Sequence, residues 1–239
     1  MFLLMLACGP ATIDLDAQND PALDDSAAQV DSDGDGLPDQ QEEELGTDPD
    51  ATDSDGDGWD DGEELDEGTD PANGYSHPYE GGYPLGDCEQ LPESTGPTGS
   101  RGVYAKGDVV QNFTLSDQHG EEVDLYSFCG RHVMLAIGAE WCSPCSQLAA
   151  EAQDIQDSYD ITVIEVLIED RNGGSPGQPA LSRWAEDHGL ETVPVLGDGD
   201  YEVFSVFERD YAIPTIVHIG PDGTVLSVDE GEHDPGKFL

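Results

Sequence analysis

No Lys or Arg occurs before Arg101, and the whole chain of 239 residues holds only seven of them against 54 Asp and Glu. The formal net charge is −47. Nucleic acid and anionic membrane surfaces are themselves polyanions, so this balance excludes both as partners and favours divalent cations. Long apolar runs are missing too. The N-terminal run, Met1-Phe2-Leu3-Leu4-Met5-Leu6-Ala7, falls far short of the ~20 residues that a membrane-spanning helix needs. Cysteine is scarce, with five in all. All seven basic residues lie beyond position 100, so an acidic forepart precedes a stretch whose apolar runs suit one globular domain of about 130 residues.

The most informative stretch that is present is Ala139-Glu140-Trp141-Cys142-Ser143-Pro144-Cys145. It follows an apolar, strand-like run over 132–138 and leads into a helix-like run from Ser143 to about Ser158. A Cys-x-x-Cys pair delivered to a helix N-terminus makes a dithiol switch, because unpaired backbone N–H groups and the helix dipole favour a thiolate there. Cys142 is expected as the nucleophile. Cys145, one turn further on the same face, is expected to attack a mixed disulfide at Cys142 and release the partner.

Two twelve-residue stretches in the forepart fit a calcium-loop pattern throughout. Calcium takes six to eight oxygens, and the pattern supplies carboxylates at positions 1, 3, 5 and 9, a turn glycine at 6, a backbone carbonyl at 7 and a Glu at 12. The first set is Asp31, Asp33, Asp35, Gly36, Leu37, Asp39 and Glu42; the second is Asp53, Asp55, Asp57, Gly58, Trp59, Asp61 and Glu64. An EF-hand pair needs helices between its loops, and only ten residues, interrupted by Gly46 and Pro49, separate these. With Gly46-Thr47-Asp48-Pro49 recurring as Gly68-Thr69-Asp70-Pro71, the segment 31–72 resembles thrombospondin type 3 repeats. That resemblance implies a chain of little regular structure wrapped around structural calcium, with Asp48 and Asp70 completing neighbouring sites. Close carboxylates repel without metal, so calcium binding should couple to ordering.

The N-terminus resembles the end of a bacterial lipoprotein signal, although no basic residue precedes its apolar run. The resemblance implies lipidation at Cys8, a signal over 1–8, a tether over 9–30, and an extracytoplasmic chain whose membrane contact is through that lipid alone. The other four cysteines allow three pairings. Cys142 and Cys145 close on each other most economically, leaving Cys88 and Cys129 either as a structural disulfide or as two unrelated thiols. Cys88 sits in a Gly-, Pro- and Tyr-rich linker over 73–102.

From 103 onward, strands are expected over 109–115, 122–126, 132–138, 161–168 and 193–196, helices over 143–158, 179–188 and 201–209, and a terminal hairpin over 215–228 around Pro221-Asp222-Gly223. The fold class is a mixed α/β sheet flanked by helices. Trp141-Cys142-x-x-Cys145 after a buried strand, with Ile213-Pro214-Thr215 before the hairpin, resembles the thioredoxin-like superfamily in its redoxin and TlpA-like branch. The resemblance implies a cis Pro214 facing the dithiol, protein disulfide substrates and an extracytoplasmic or membrane thiol donor, with no cofactor beyond the dithiol. It places Trp141, Cys142, Cys145 and Pro214 in the catalytic site.

The chain departs from that family at Ala136, where thioredoxins carry a buried Asp, and at Leu148, where TlpA-like reductases often carry Glu. The acceptor for the Cys145 proton is then water, Glu140 or Glu165. It also stops at Leu239, before a final covering helix. A peroxiredoxin site needs Thr or Ser where Ala139 stands and Pro where Leu135 stands. A metal held by Cys142, Cys145 and His218 lacks a full tetrahedral set. A calcium-dependent binding protein on a non-catalytic scaffold is the remaining alternative.

Overall fold

The computed structural model describes residues 30–87, 91–208 and 210–231. Cys8, with the signal and most of the tether, and Cys88 lie outside the described residues. Twelve helices and strands follow: α1 (Asp39–Leu45), α2 (Asp61–Glu67), β1 (Thr114–Ser116), β2 (Glu122–Asp124), β3 (Val133–Ala139), α3 (Ser143–Tyr159), β4 (Thr162–Glu169), α4 (Gln178–His188), β5 (Val195–Gly197), α5 (Phe204–Phe207), β6 (Thr215–Ile219) and β7 (Val225–Glu230).

Five strands form one mixed sheet in the order β5-β4-β3-β6-β7, and β1 and β2 form a separate hairpin. β3 pairs parallel to β4 and antiparallel to β6, and β4 pairs parallel to β5. Every residue of β3 is buried, as expected of a strand enclosed on both faces. Parallel neighbours require crossovers, and α3 and α4 supply them. This is the mixed sheet that the thioredoxin resemblance implies.

Several boundaries moved. The strand expected over 109–115 shrinks to Thr114–Ser116, with Val109 contributing only an isolated bridge to Thr224. The helix expected over 201–209 is cut to Phe204–Phe207, since Tyr201 takes a positive φ and cannot continue one. In the acidic forepart, each calcium-type loop runs into a seven-residue helix, α1 or α2, closed by Gly46 or Gly68 in the left-handed conformation. The expectation of little regular structure there missed these helices because they carry almost no apolar periodicity; their acidic first turns suit the helix dipole.

The Tyr-rich stretch over 75–87 packs onto the globular domain. Tyr79 and Tyr83 are buried in the main core; the Tyr79 hydroxyl hydrogen-bonds Ser127 and that of Tyr83 donates to Asp117. The Gly86 N–H donates to Ser127 O at 2.8 Å, and a Cβ at Gly86 would lie 1.8 Å from Cys129 O. Only glycine permits that approach of two backbones. Among the described residues, no helix is long and apolar enough to cross a membrane.

Candidate active site and acidic loops

β3 ends at Ala139, and a short turn delivers Cys142 to the N-cap of α3. Cys142 Sγ accepts a hydrogen bond from the Cys145 N–H at 3.2 Å, so its sulfur holds the capping position usually taken by an oxygen. Pro144 within the first turn fixes the backbone where no N–H partner is required. Cys142 and Cys145 are joined by a disulfide, with Cα atoms 5.3 Å apart. Both side chains are nearly buried, whereas Trp141 beside them is 55% exposed.

Gly138 explains how the pair fits. A Cβ there would lie 2.8 Å from Cys145 Sγ, so the second sulfur rests directly on β3. Gly138→Val should displace Cys145 and cut dithiol turnover by ~10-fold or more, in the manner of other overpacking substitutions. Oxidised and reduced forms assayed side by side check this, and unchanged turnover would show that Cys145 has room to retreat.

The Ile213-Pro214 bond is cis, as the resemblance implies. Thr215 pairs with Ile137, which sets Pro214 beside Gly138 at the end of the sheet. The Pro214 carbonyl accepts from the Gly231 N–H and is thereby already engaged. His218 is buried in β6, a strand position, and not beside the two sulfurs in sequence register; it pairs with Met134.

Partners that sequence reading did not find, Arg171, Arg183 and Glu169, hold Glu140 and Trp141, the two residues just before Cys142. Glu140 is gripped by Arg183 through Nε and Nη2 at 2.7 and 2.8 Å, and by Arg171 Nη2 at 2.7 Å. The Arg183 hydrogen bonds, against the cost of burial, hold its carboxyl down at about 2. Glu140 is therefore a fixed anion and is ruled out as a proton acceptor. Trp141 Nε1 donates to Glu169 Oε2 at 2.7 Å, and the Tyr201 hydroxyl donates to the other oxygen of Glu169. Tyr201 also lines a cavity of about 540 Å³ with Phe204, Tyr211 and Arg101. Nothing in the local sequence pairs residues 28 to 43 positions apart, so these partners carried no signal.

Glu165, the other acid named from the sequence, sits on β4 beside Ala136 and is 3% exposed. Burial pushes its carboxyl up to about 8, opposed by a hydrogen bond from Trp184 Nε1. Cys129 is disulfide-bonded, and its expected partner Cys88 lies outside the described residues.

The two acidic loops share three bonds at equivalent positions, and the second adds one from the Gly58 N–H to Asp53 Oδ2. In the first, the N–H groups of Gly34, Asp35 and Leu37 donate to Asp31, Asp33 and Asp35; in the second, those of Gly56, Asp57 and Trp59 donate to Asp53, Asp55 and Asp57. Each set of three carboxylates can place one oxygen apiece within 4.8 Å of the others. Asp33 Oδ2, both Glu42 oxygens, Asp55 Oδ2 and Glu64 Oε2 are buried without a hydrogen-bond partner. Converging hard oxygens with orphaned lone pairs fit a calcium ion.

The ninth-position acids also tie the loops together. Asp39 and Asp61 each accept from the N–H and the hydroxyl of a serine, Ser32 and Ser54, seven residues earlier. Asp61 also joins Asp35 and Glu42 in a third cluster that bridges the two repeats. Asp48 and Asp70 accept from Asp50 and Ala72 N–H groups, acting as turn caps.

Comparison with known proteins agrees with both halves. The AhpC/TSA family model matches residues 106–228, and the bacterial TSP3 repeat model matches 31–49 and 53–74. The chain is 28% identical over 134 residues to the thiol-disulfide oxidoreductase ResA of Oceanobacillus iheyensis, covering 54% of this chain and 67% of that protein. It is 33% identical over 103 residues to the peroxiredoxin Bcp of Escherichia coli, covering 42% and 62%. A solved thiol-disulfide oxidoreductase from Bacteroides fragilis is 18% identical, with a TM-score of 0.46 over 55% of this chain and 97% of that one.

Proposed function

The chain belongs to the AhpC/TSA family, and from that premise we propose that it is a thiol–disulfide oxidoreductase acting on protein disulfides through Cys142 and Cys145. The observation that carries this reading is the position of Cys142 Sγ at the α3 N-cap, with Cys145 in disulfide reach one turn on. A thiolate there is favoured by the Cys145 N–H and by the positive end of a 17-residue helix. Cys142 attacks the substrate disulfide, and Cys145 closes the internal one. The cis Ile213-Pro214 loop and exposed Trp141 border the pair, and Glu169 links Trp141 to Tyr201, which lines the cavity with Tyr211. An extended polypeptide suits that surface better than a small oxidant.

Peroxide reduction is the weaker reading. Its sequence support is the likeness to a peroxiredoxin, but Ala139 has no hydroxyl and Leu135 is a buried β3 residue, so neither could bind a peroxide oxygen. The acidic repeats act as a calcium-stiffened stalk between a lipid anchor at Cys8 and the dithiol, in an extracytoplasmic setting where a membrane or soluble thiol donor recharges it.

Insulin-disulfide reduction and hydrogen peroxide consumption, measured on the same preparation with dithiothreitol, test the choice. The expected result is Cys142-dependent insulin reduction at least tenfold above the uncatalysed rate, with negligible peroxide turnover. Rapid peroxide loss without insulin reduction would sink the proposal.

A further inference from the structure

Ala136, Gly138, Glu165 and Cys145 meet on one face of the sheet. Ala136 is the register partner of Glu165 across the parallel pair β3–β4, so both side chains leave the same face. Gly138, two residues on, shares that face, and Cys145 Sγ lies against it. Glu165 therefore stands on the strand next to the sulfur and about one pleat, roughly 7 Å of strand, below it.

The carboxyl is enclosed. Its facing neighbours are Ala136 and Gly138 from β3, Val195 from β5, Trp184 with the tilted ring of His188 against it from α4, and Cys145 from α3. His188 is turned away, since its ring nitrogens meet Ser146 and the Trp184 carbonyl. Trp184 Nε1 reaches one Glu165 oxygen at 3.4 Å, and the other, Oε1, is buried with no hydrogen-bond partner. An orphaned carboxyl oxygen in an apolar pocket is costly unless it has a task. Cys145 has a proton to lose, and Glu140 is locked by two arginines.

Resting on the dithiol reading above, we propose that Glu165 is the proton acceptor for Cys145 in the resolving step. The Cys145 thiol gives its proton to Glu165 as its sulfur attacks Cys142 of the mixed disulfide; the Cys142–Cys145 bond forms, and the bond to the substrate sulfur breaks. The substrate leaves as a thiolate and takes the proton from Glu165, so two electrons and one proton pass to it by this route. Burial that lifts the acid to about 8 matches it to a thiol, which suits transfer in both directions. The residue thus supplies from β4 what Ala136 cannot supply from β3.

The test uses the full reduced chain mixed with Ellman's reagent under stopped flow, where the first release of chromophore reports Cys142 attack and the second reports resolution by Cys145. Glu165→Gln keeps the shape and the Trp184 contact; it should slow the second phase at least tenfold and leave the first unchanged. In the wild-type chain the second phase should rise through an inflection near pH 8, which the Gln variant lacks. Trp184→Phe removes the donor that opposes the upward shift and should move that inflection higher. A second phase with the same rate and pH profile in wild type and Glu165→Gln overturns the proposal. If Glu165→Gln does not fold, a wild-type second phase without an inflection between pH 7 and 9 does the same. Absence of any second release in the wild type would instead mean that the dithiol reading itself has failed.

Discussion

Cys142→Ser should reduce disulfide-exchange turnover by about 10³-fold or more, because it removes the only sulfur that the α3 N-terminus holds at its cap. Cys145→Ser should also stop turnover, but by a different route. The Cys142 thiolate still attacks, the mixed disulfide cannot be resolved, and substrate accumulates covalently on the chain. Mass spectrometry under non-reducing conditions distinguishes the two: a substrate adduct on Cys145→Ser and none on Cys142→Ser. An adduct on Cys142→Ser instead would reverse the assignment of the two sulfurs. Turnover that survives in both would remove the enzyme from this pair altogether.

Removing calcium should melt the forepart while leaving the dithiol chemistry with a small disulfide in place. Buried oxygens on Asp33, Glu42, Asp55 and Glu64 lack hydrogen-bond partners and sit among other carboxylates, with His77 beside Asp57 at 3.1 Å, so without metal the acidic charges oppose one another. Each site filled at a hundredfold excess over its dissociation constant adds about 2.7 kcal/mol. Trp59 lies within the second loop and reports its order directly. Chelation with EGTA should shift Trp emission to the red and lower the first thermal transition. Glu64→Gln should raise the calcium concentration needed to reverse both changes.

The pH dependence of the metal-free chain has a definite sign. Burial, then the neighbouring carboxylates, push Glu42 up to about 7 and Glu64 up to about 8. The folded forepart then holds protons that an unfolded chain releases near 4.5, so its stability is greatest below that value and is lost as pH rises through 7 to 8. Bound calcium would take the place of those protons. Transitions that are the same at pH 5 and pH 8 after chelation, or the same with EGTA and with millimolar calcium, would defeat this account.

The dithiol could be read from sequence because its requirements are local. An apolar strand, a turn and a Cys-x-x-Cys helix start are contiguous, and each has a period or a spacing of its own. The two acidic repeats were legible for the same reason. What escaped depends on contacts across the fold. Arg171 and Arg183 reach Glu140 from β4's far end and from α4, Tyr201 meets Glu169 from the α5 approach, and no pattern within a window of residues joins them. Glu165 could be named as a candidate acid, yet only strand register shows that it faces the same side as Cys145's resting place. The stretch over 75–87 reads as linker by its glycines and prolines, while Tyr79 and Tyr83 in it are core residues.

That last feature bears on how such a protein could be assembled from parts. Because Gly86 lies flush against the backbone at Cys129, and Thr162 donates to the Pro84 carbonyl, residues 75–87 are a fitted lining of the redox unit. A hybrid gene that joined a different repeat array at position 103 would leave an aromatic hollow where Tyr79 and Tyr83 had been. The boundary between the two modules lies upstream, just past the second repeat, where Ser76 and His77 still meet Asp70 and Asp57, so a swap of stalk length must carry the tyrosine strap along with the fold it lines and keep those two contacts.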